Sequence, residues 1–193
     1  FGYLNLVGGS AASLKDLNLN CTIEVELTAG DYYIGALAGR MAAYACEMDH
    51  VTVEVQGIEV TGAAAGKVVY VGGLIGNGQL MEPGAELEVR GAIEVNAAAD
   101  SLYVGGALGG GGITVPVTVR YCDGAALRAT NAAGHVILGG LIGYCPGDSV
   151  DLRGSKLVNE TGQRLTFAAE STSTGAKQNV YAGGWVGNLT AAT

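Results

Sequence analysis

The sequence predicts an all-β fold, a β-solenoid (parallel β-helix-like) built from about five glycine-rich repeats. Three observations predict it. First, one seven-residue string recurs five times. Tyr33-Ile34-Gly35-Ala36-Leu37-Ala38-Gly39 returns as Tyr70-Val71-Gly72-Gly73-Leu74-Ile75-Gly76 and as Tyr103-Val104-Gly105-Gly106-Ala107-Leu108-Gly109. It returns again as Ile137-Leu138-Gly139-Gly140-Leu141-Ile142-Gly143 and Tyr181-Ala182-Gly183-Gly184-Trp185-Val186-Gly187. The copies start at 33, 70, 103, 137 and 181, so the intervals are 37, 33, 34 and 44 residues. Self-similarity at such a period marks a stack of units, each burying its apolar face against the next. Second, the runs between the strings alternate apolar and polar residues with period two, the signature of half-buried strands. Third, 33 of the 193 residues are Gly, only 3 are Pro, and charged residues make up 15%. Such a composition folds, and it lacks the three-residue period of collagen.

The elements follow in chain order. Phe1-Gly2-Tyr3-Leu4 reads as the end of a sixth glycine motif. The chain also stops a few residues after the fifth complete copy, so both ends cut through repeats. We therefore expect a single repeat domain over residues 1–193 that is a piece of a longer protein, or else one whose ends stack head to tail. Leu17, Leu19, Cys21, Ile23, Val25 and Leu27 predict a strand ahead of the first motif. Met41 to Met48 is the nearest approach to a helical pattern, and it is short. Val53 to Val60 and Leu87 to Val95 are alternating runs interrupted by Gly57 and Gly91, which predict glycine corners between paired strands. Val115, Val117 and Val119 predict another strand. Pro83-Gly84 and Pro146-Gly147 predict turns after glycine motifs, and Asn77-Gly78 a tight turn or a deamidation site. In the strand runs, Glu24, Glu26, Glu54, Glu88 and Arg120 should face water.

The motif itself is expected to be a glycine-rich strand. Alternation would place Tyr70, Gly72, Leu74 and Gly76 on one face and Val71, Gly73 and Ile75 on the other. The structural residues are then Gly35, Leu37 and Gly39 in the first copy and Gly72, Gly73, Leu74 and Gly76 in the second. Gly105, Gly106 and Gly109 serve in the third, Gly139, Gly140, Leu141 and Gly143 in the fourth, and Gly183, Gly184, Trp185 and Gly187 in the fifth. Small residues in mid-strand let another backbone come close. Ala107 is undersized and Trp185 oversized for the Leu position, so the core should change shape near them. Tyr33, Tyr70, Tyr103 and Tyr181 share one position and predict a half-buried ladder broken at Ile137, or an exposed aromatic strip for sugars.

Tyr-Val-Gly-Gly-Leu-Ile-Gly, followed by an alternating strand pair and repeated, resembles the GLUG repeat family. The Gly-Leu-x-Gly core stands at Gly73-Leu74-Ile75-Gly76 and at Gly140-Leu141-Ile142-Gly143. Ala36 departs from it in the first copy, as do Ala107 and Trp185 in the third and fifth. The resemblance covers essentially the whole chain. It implies bacterial cell-surface or secreted proteins, including adhesin-like proteins and regions of immunoglobulin A peptidases in which the repeats are not catalytic.

The remaining residues point to no reaction. Net charge is −8, which argues against nucleic acid and anionic membrane surfaces. No apolar run approaches the roughly 20 residues of a membrane span. Cys21, Cys46, Cys122 and Cys145 form no CxxC pair, so zinc spacing is absent, and small core fillers, one disulfide or a catalytic thiol are the readings left. Asp49-His50 could serve acid/base chemistry but has no third partner in sequence. The turn aspartates Asp31, Asp100, Asp123, Asp148 and Asp151 lack a calcium nonapeptide pattern. No nucleophile elbow, phosphate loop or His-Glu-x-x-His occurs. Three Asn-x-Thr triplets, at Asn20, Asn159 and Asn188, match the glycosylation pattern. An ice-binding face would need Thr rows, and Thr52 and Thr118 do not recur at the repeat period.

The expectation is therefore a non-catalytic extracellular repeat domain without cofactor or metal, acting as an adhesin or rigid stalk. Its partner would be a host or neighbouring-cell surface protein or glycan, with end-to-end contact to flanking repeats. The alternative is a carbohydrate-active lyase or hydrolase on a right-handed β-helix, which would need carboxylates converging on one groove. The polar segment from Asn159 to Gln178, within the longest interval, is the first place to expect a binding loop.

Overall fold

The computed structural model describes residues 2–5, 12–42, 46–80, 85–122, 124–146, 150–160, 162, 165–175 and 179–190. It is all β, and no helix occurs among the described residues. A short strand, β1 (Tyr3–Asn5), precedes the first coil. That coil holds β2 (Ala12–Leu27), β3 (Tyr32–Gly35) and β4 (Ala38–Ala42). The second holds β5 (Cys46–Gly72) and β6 (Ile75–Leu80), and the third β7 (Ala85–Val89), β8 (Ala92–Gly105) and β9 (Leu108–Ile113). The fourth holds β10 (Thr118–Tyr121), β11 (Ala126–Asn131), β12 (His135–Gly139) and β13 (Ile142–Pro146). The fifth holds β14 (Lys156–Asn159), β15 (Thr166–Ser171), β16 (Val180–Gly183) and β17 (Val186–Thr190).

Each strand hydrogen-bonds to its equivalent one coil away, and every pairing among the described residues is parallel. The five glycine motifs delimit about four turns of a β-solenoid. The strands that begin in the last residues of each motif, together with β1, build one sheet, in the order β1-β4-β6-β9-β13-β17. The remaining strands build the other. Equivalent residues stack in register, as in Ile23–Ile58–Ile93–Leu127–Phe167 and Leu19–Val53–Leu87–Val119–Leu157. The period-two valines of the sequence become continuous interior rows: Val51, Val53, Val55, Val60, Leu87, Val89, Ile93 and Val95 are buried. Stacking is what turns a half-buried strand into a core, because no single coil encloses its own apolar face.

Gly57 does not end a strand, because β5 runs through it for 27 residues. The corner there is a bulge: Cys21 pairs with Val55 and Thr22 with Gly57, leaving Gln56 as the extra residue. The Arg90 amide bonds the Val55 carbonyl at 2.8 Å, which closes the corner in the next coil. One inserted residue shifts the register without breaking the ladder. Asn77-Gly78 is likewise not a turn; it lies inside β6 and pairs with β9. Met41 and Met48 lie in strands β4 and β5, while 43–45, Pro83-Gly84 and Gly147 lie outside the described residues.

Candidate functional site

The glycine motif is the most repeated part of the chain, and the structure corrects its geometry. It is two strands rather than one. Each copy bends at its fourth and fifth residues, and the two arms belong to different sheets. Alternation therefore stops at the bend. Leu74 and Ile75 are consecutive and both fully buried, where a single strand would have put them on opposite faces. The arms pack back against each other through their glycines. A Cβ on Gly35 would lie 2.5 Å from the Ala38 carbonyl oxygen and 2.6 Å from the Gly76 amide. A Cβ on Gly143 would lie 2.6 Å from the Gly109 oxygen and 2.8 Å from the Val104 amide. Backbone against backbone at that distance admits no side chain. Gly39, Gly72, Gly76, Gly105, Gly109, Gly139, Gly183 and Gly187 are hemmed in by backbone in the same way.

At the bend, the fifth residue of each of the first four copies donates its amide to the carbonyl of its equivalent in the next coil. Leu37 bonds Leu74 (2.9 Å), Leu74 bonds Ala107 (3.0 Å), Ala107 bonds Leu141 (2.9 Å) and Leu141 bonds Trp185 (2.8 Å). The side chains at Leu37, Leu74, Ala107 and Leu141 are buried, whereas Trp185 is 40% exposed in the last coil. The fourth-position glycines face inward: the Leu87 side chain would sit 3.1 Å from a Cβ on Gly73, and Leu157 3.1 Å from one on Gly140. Where Ala107 leaves the core of the third coil short of volume, the facing strand β10 of the fourth coil carries the larger Tyr121. Its hydroxyl occupies the space a Gly106 side chain would need. That hydroxyl is buried and donates to the Gly140 carbonyl at 2.6 Å. Burial pushes the Tyr121 phenol well above its ordinary range.

Tyr33, Tyr70 and Tyr103 of the tyrosine row are half-buried and stacked face to face, whereas Tyr181 is 44% exposed in the last coil. Ring centroids of Tyr33 and Tyr70 are 5.5 Å apart and those of Tyr70 and Tyr103 are 4.8 Å apart. At the Ile137 break the column is continued by Tyr144, 4.9 Å from Tyr103. Tyr144 comes from the other arm of the fourth motif, a position held elsewhere by Arg40, Asn77, Gly110 and Asn188. The sequence contained the signal: Tyr144 is the only aromatic residue that directly follows a copy of the motif. Arg40 lies over the first ring at 5.1 Å. The inner ring faces are thus taken by each other, which leaves edges and hydroxyls outward and argues against a sugar stacking platform. Burial first, then the neighbouring phenols, raise the Tyr70 hydroxyl to about 12.

On the outer faces, Glu24, Glu59 and Glu94 stack in register, and Arg128 follows them. Glu54 and Glu88 are partly covered rather than fully in water, and Arg90 bridges them at 3.4 and 2.5 Å. Arg120 reaches Glu160 at 3.4 Å. Asp49-His50 does have a third partner that sequence distance hid. His50 Nδ1 lies 3.0 Å from Asp49 and 3.6 Å from Asp16 of the coil before. Asp16 and His50 both adopt left-handed backbone, φ 50° and 52°. The imidazole is nonetheless 78% exposed, at an open groove lined by Thr52, Glu86, Pro116 and Thr118. So wet a pair has little of the desolvation that strengthens acid/base groups.

Among the described residues, no group of three or more His, Cys, Asp or Glu is arranged to hold a metal ion. Cys21, Cys122 and Cys145 are free thiols, all raised by burial; the Cys46 side chain lies outside the described residues. The middle of the Asn159–Gln178 segment is not a loop. Thr166–Ser171 is a stacked strand because Phe167 and Ala169 continue two apolar rows. No described helix is long and apolar enough to cross a membrane. No family model, no curated protein and no solved structure matches this chain.

Proposed function

We propose that this chain is a non-catalytic extracellular repeat domain of a bacterial cell-surface protein, serving as an adhesin or a rigid stalk. The observation that carries the reading is the use made of the repeated residues. In the first four motifs the glycines, the residue at the Leu position and the tyrosines where they occur are spent on packing coil to coil, so the part of the sequence that repeats builds a rod. The GLUG-like pattern supports the location, and short polar and acidic rows on the outer faces support a solvated surface. Two measurements test the proposal. Antibody or protease access on intact producing cells should find the chain outside, and a strictly intracellular chain would sink it. The purified chain is then applied to an array of host glycans, mucins and matrix proteins. A specific signal makes it an adhesin, a blank array a spacer, and turnover of a polysaccharide would replace both with the enzyme reading.

A further inference from the structure

We propose that the tyrosine column is a covalent modification site. A one-electron oxidant of the haem-peroxidase class, working with hydrogen peroxide, joins neighbouring rings as dityrosine, Tyr70 to Tyr103 first, and so staples one coil to the next. The inference is independent of the adhesive reading. It rests on the second and third coils, each of which has another coil on either side. Tyr33, Tyr70 and Tyr103 are in-register neighbours on adjacent parallel strands. Their rings overlie one another nearly parallel, with 6° between Tyr33 and Tyr70 and 23° between Tyr70 and Tyr103. Equivalent ring atoms therefore face each other across each gap. The closest pair is Tyr70 and Tyr103, with centroids 4.8 Å apart. All three residues are half-buried, so an oxidant can reach the column from its rim.

Two departures from the repeat serve this column. The position after the motif holds Arg40, Asn77, Tyr144 or Asn188, but Gly110 in the third coil, where a Cβ would lie 2.5 Å from the Tyr70 ring. A side chain there would push Tyr70 off its neighbours. Where Ile137 interrupts the row, Tyr144 restores a phenol 4.9 Å from Tyr103. Stacking needs only a ring, whereas coupling needs a phenol, and every member of the column is Tyr. Tyr121 is outside this chemistry: it is buried and meets Phe167 edge-on, at 68°. Cys21, Cys122 and Cys145 are free thiols, so no disulfide among them already ties the coils together.

Each of two phenols gives up one electron and one proton and becomes a phenoxyl radical, its unpaired electron shared by the oxygen and the ortho carbons. The two radicals form one bond between ortho carbons. The hydrogens those carbons carried move to the oxygens, which restores both phenols. Hydrogen peroxide takes up the two electrons and two protons and leaves as two water molecules. Burial first, then the neighbouring phenols, keep the Tyr70 hydroxyl protonated up to about 12, so at neutral pH its proton leaves with the electron. Rings already held face to face turn the coupling from an encounter of two molecules into an intramolecular step. The new bond closes a loop from Tyr70 to Tyr103 and takes freedom from the unfolded chain, as a disulfide would.

A haem peroxidase with limiting hydrogen peroxide, applied to the dilute 193-residue chain, tests this. Trypsin cuts after Lys and Arg, which puts Tyr70 in peptide 68–90, Tyr103 in 91–120 and Tyr144 in 129–153, each as the sole tyrosine. A link is therefore read from the masses of the peptides it joins. The expected product is a monomer with dityrosine fluorescence and two hydrogens fewer, in which 68–90 is joined to 91–120, and it should unfold at higher denaturant than the unreacted chain. Tyr70→Phe with Tyr144→Phe keeps four stacked rings but leaves no two phenols adjacent. Intramolecular dityrosine should then fall by about tenfold or more, with circular dichroism and melting unchanged. Tyr181→Phe should leave the yield as it was. A monomer whose peptides 68–90 and 91–120 stay unjoined while other tyrosines are oxidised overturns the proposal. So do links formed only between molecules, a yield indifferent to the double substitution, or a linked chain that unfolds earlier.

Discussion

The second and fifth copies of the glycine motif are nearly the same string with opposite fates. Leu74 is fully buried, and a Cβ on Gly73 would meet the Leu87 side chain at 3.1 Å. Trp185 occupies the same position at 40% exposure, and a Cβ on Gly184 would meet nothing within 4 Å. The local sequence cannot be the cause, since both copies bend alike and both belong to the same two sheets. What differs is the coil on the far side. The motif prepares a surface, and the next coil makes it a core.

The largest test of that contrast is a charge at the bend. Leu74→Asp removes roughly 1.5–3 kcal/mol of burial and adds an unpaired buried charge, so a loss of about 4 kcal/mol or more is expected. Trp185→Asp, at the open end, should cost about 1 kcal/mol or less. Denaturant melts of the two variants decide it, and equal losses would break the comparison. Tyr121→Phe comes next. It strands the Gly140 carbonyl that the hydroxyl satisfies at 2.6 Å, for about 1–3 kcal/mol, while Tyr181→Phe on the exposed edge should fall within about 0.5 kcal/mol.

Alkaline titration probes the same burial through Tyr70. Its phenol ionises at about 12 in the folded chain against an ordinary 10. The folded state therefore holds this proton where the unfolded chain has released it. Stability contributed by the neutral phenol is complete below pH 10 and falls as pH rises towards 12. A melting temperature that rises through that window would contradict the burial. The smallest effect belongs to the outer face. Glu59 stacks between Glu24 and Glu94, so Glu59→Lys should stabilise by about 0.5 kcal/mol and do so less in high salt. Glu170→Lys, at the edge of the last coil, should be close to neutral.

Much of the fold was legible because it depends on spacing alone. The period of 33 to 44 residues and the alternating valines require stacked coils, whatever else surrounds them. The candidate site was legible in part. The tyrosine row could be aligned by eye, but Tyr144 completes it from a different arm, seven residues after Ile137. Asp16 reaches His50 across 34 residues of sequence because coils place equivalent positions side by side. The segment from 159 to 178 looked like a loop by composition, yet Phe167 and Ala169 hold its middle in the stack.

By itself the sequence determined that the chain is β, that it stacks, and which residues form each rung, because backbone periodicity and repeat length are local properties. Only the tertiary structure decided that the motif is two arms packed glycine to glycine rather than one strand. It alone decided that Tyr121 fills the space beside Ala107, and that one copy's bend is core while another's is surface. These outcomes depend on what lies one coil away, and contacts between coils join residues far apart in sequence that no local pattern records.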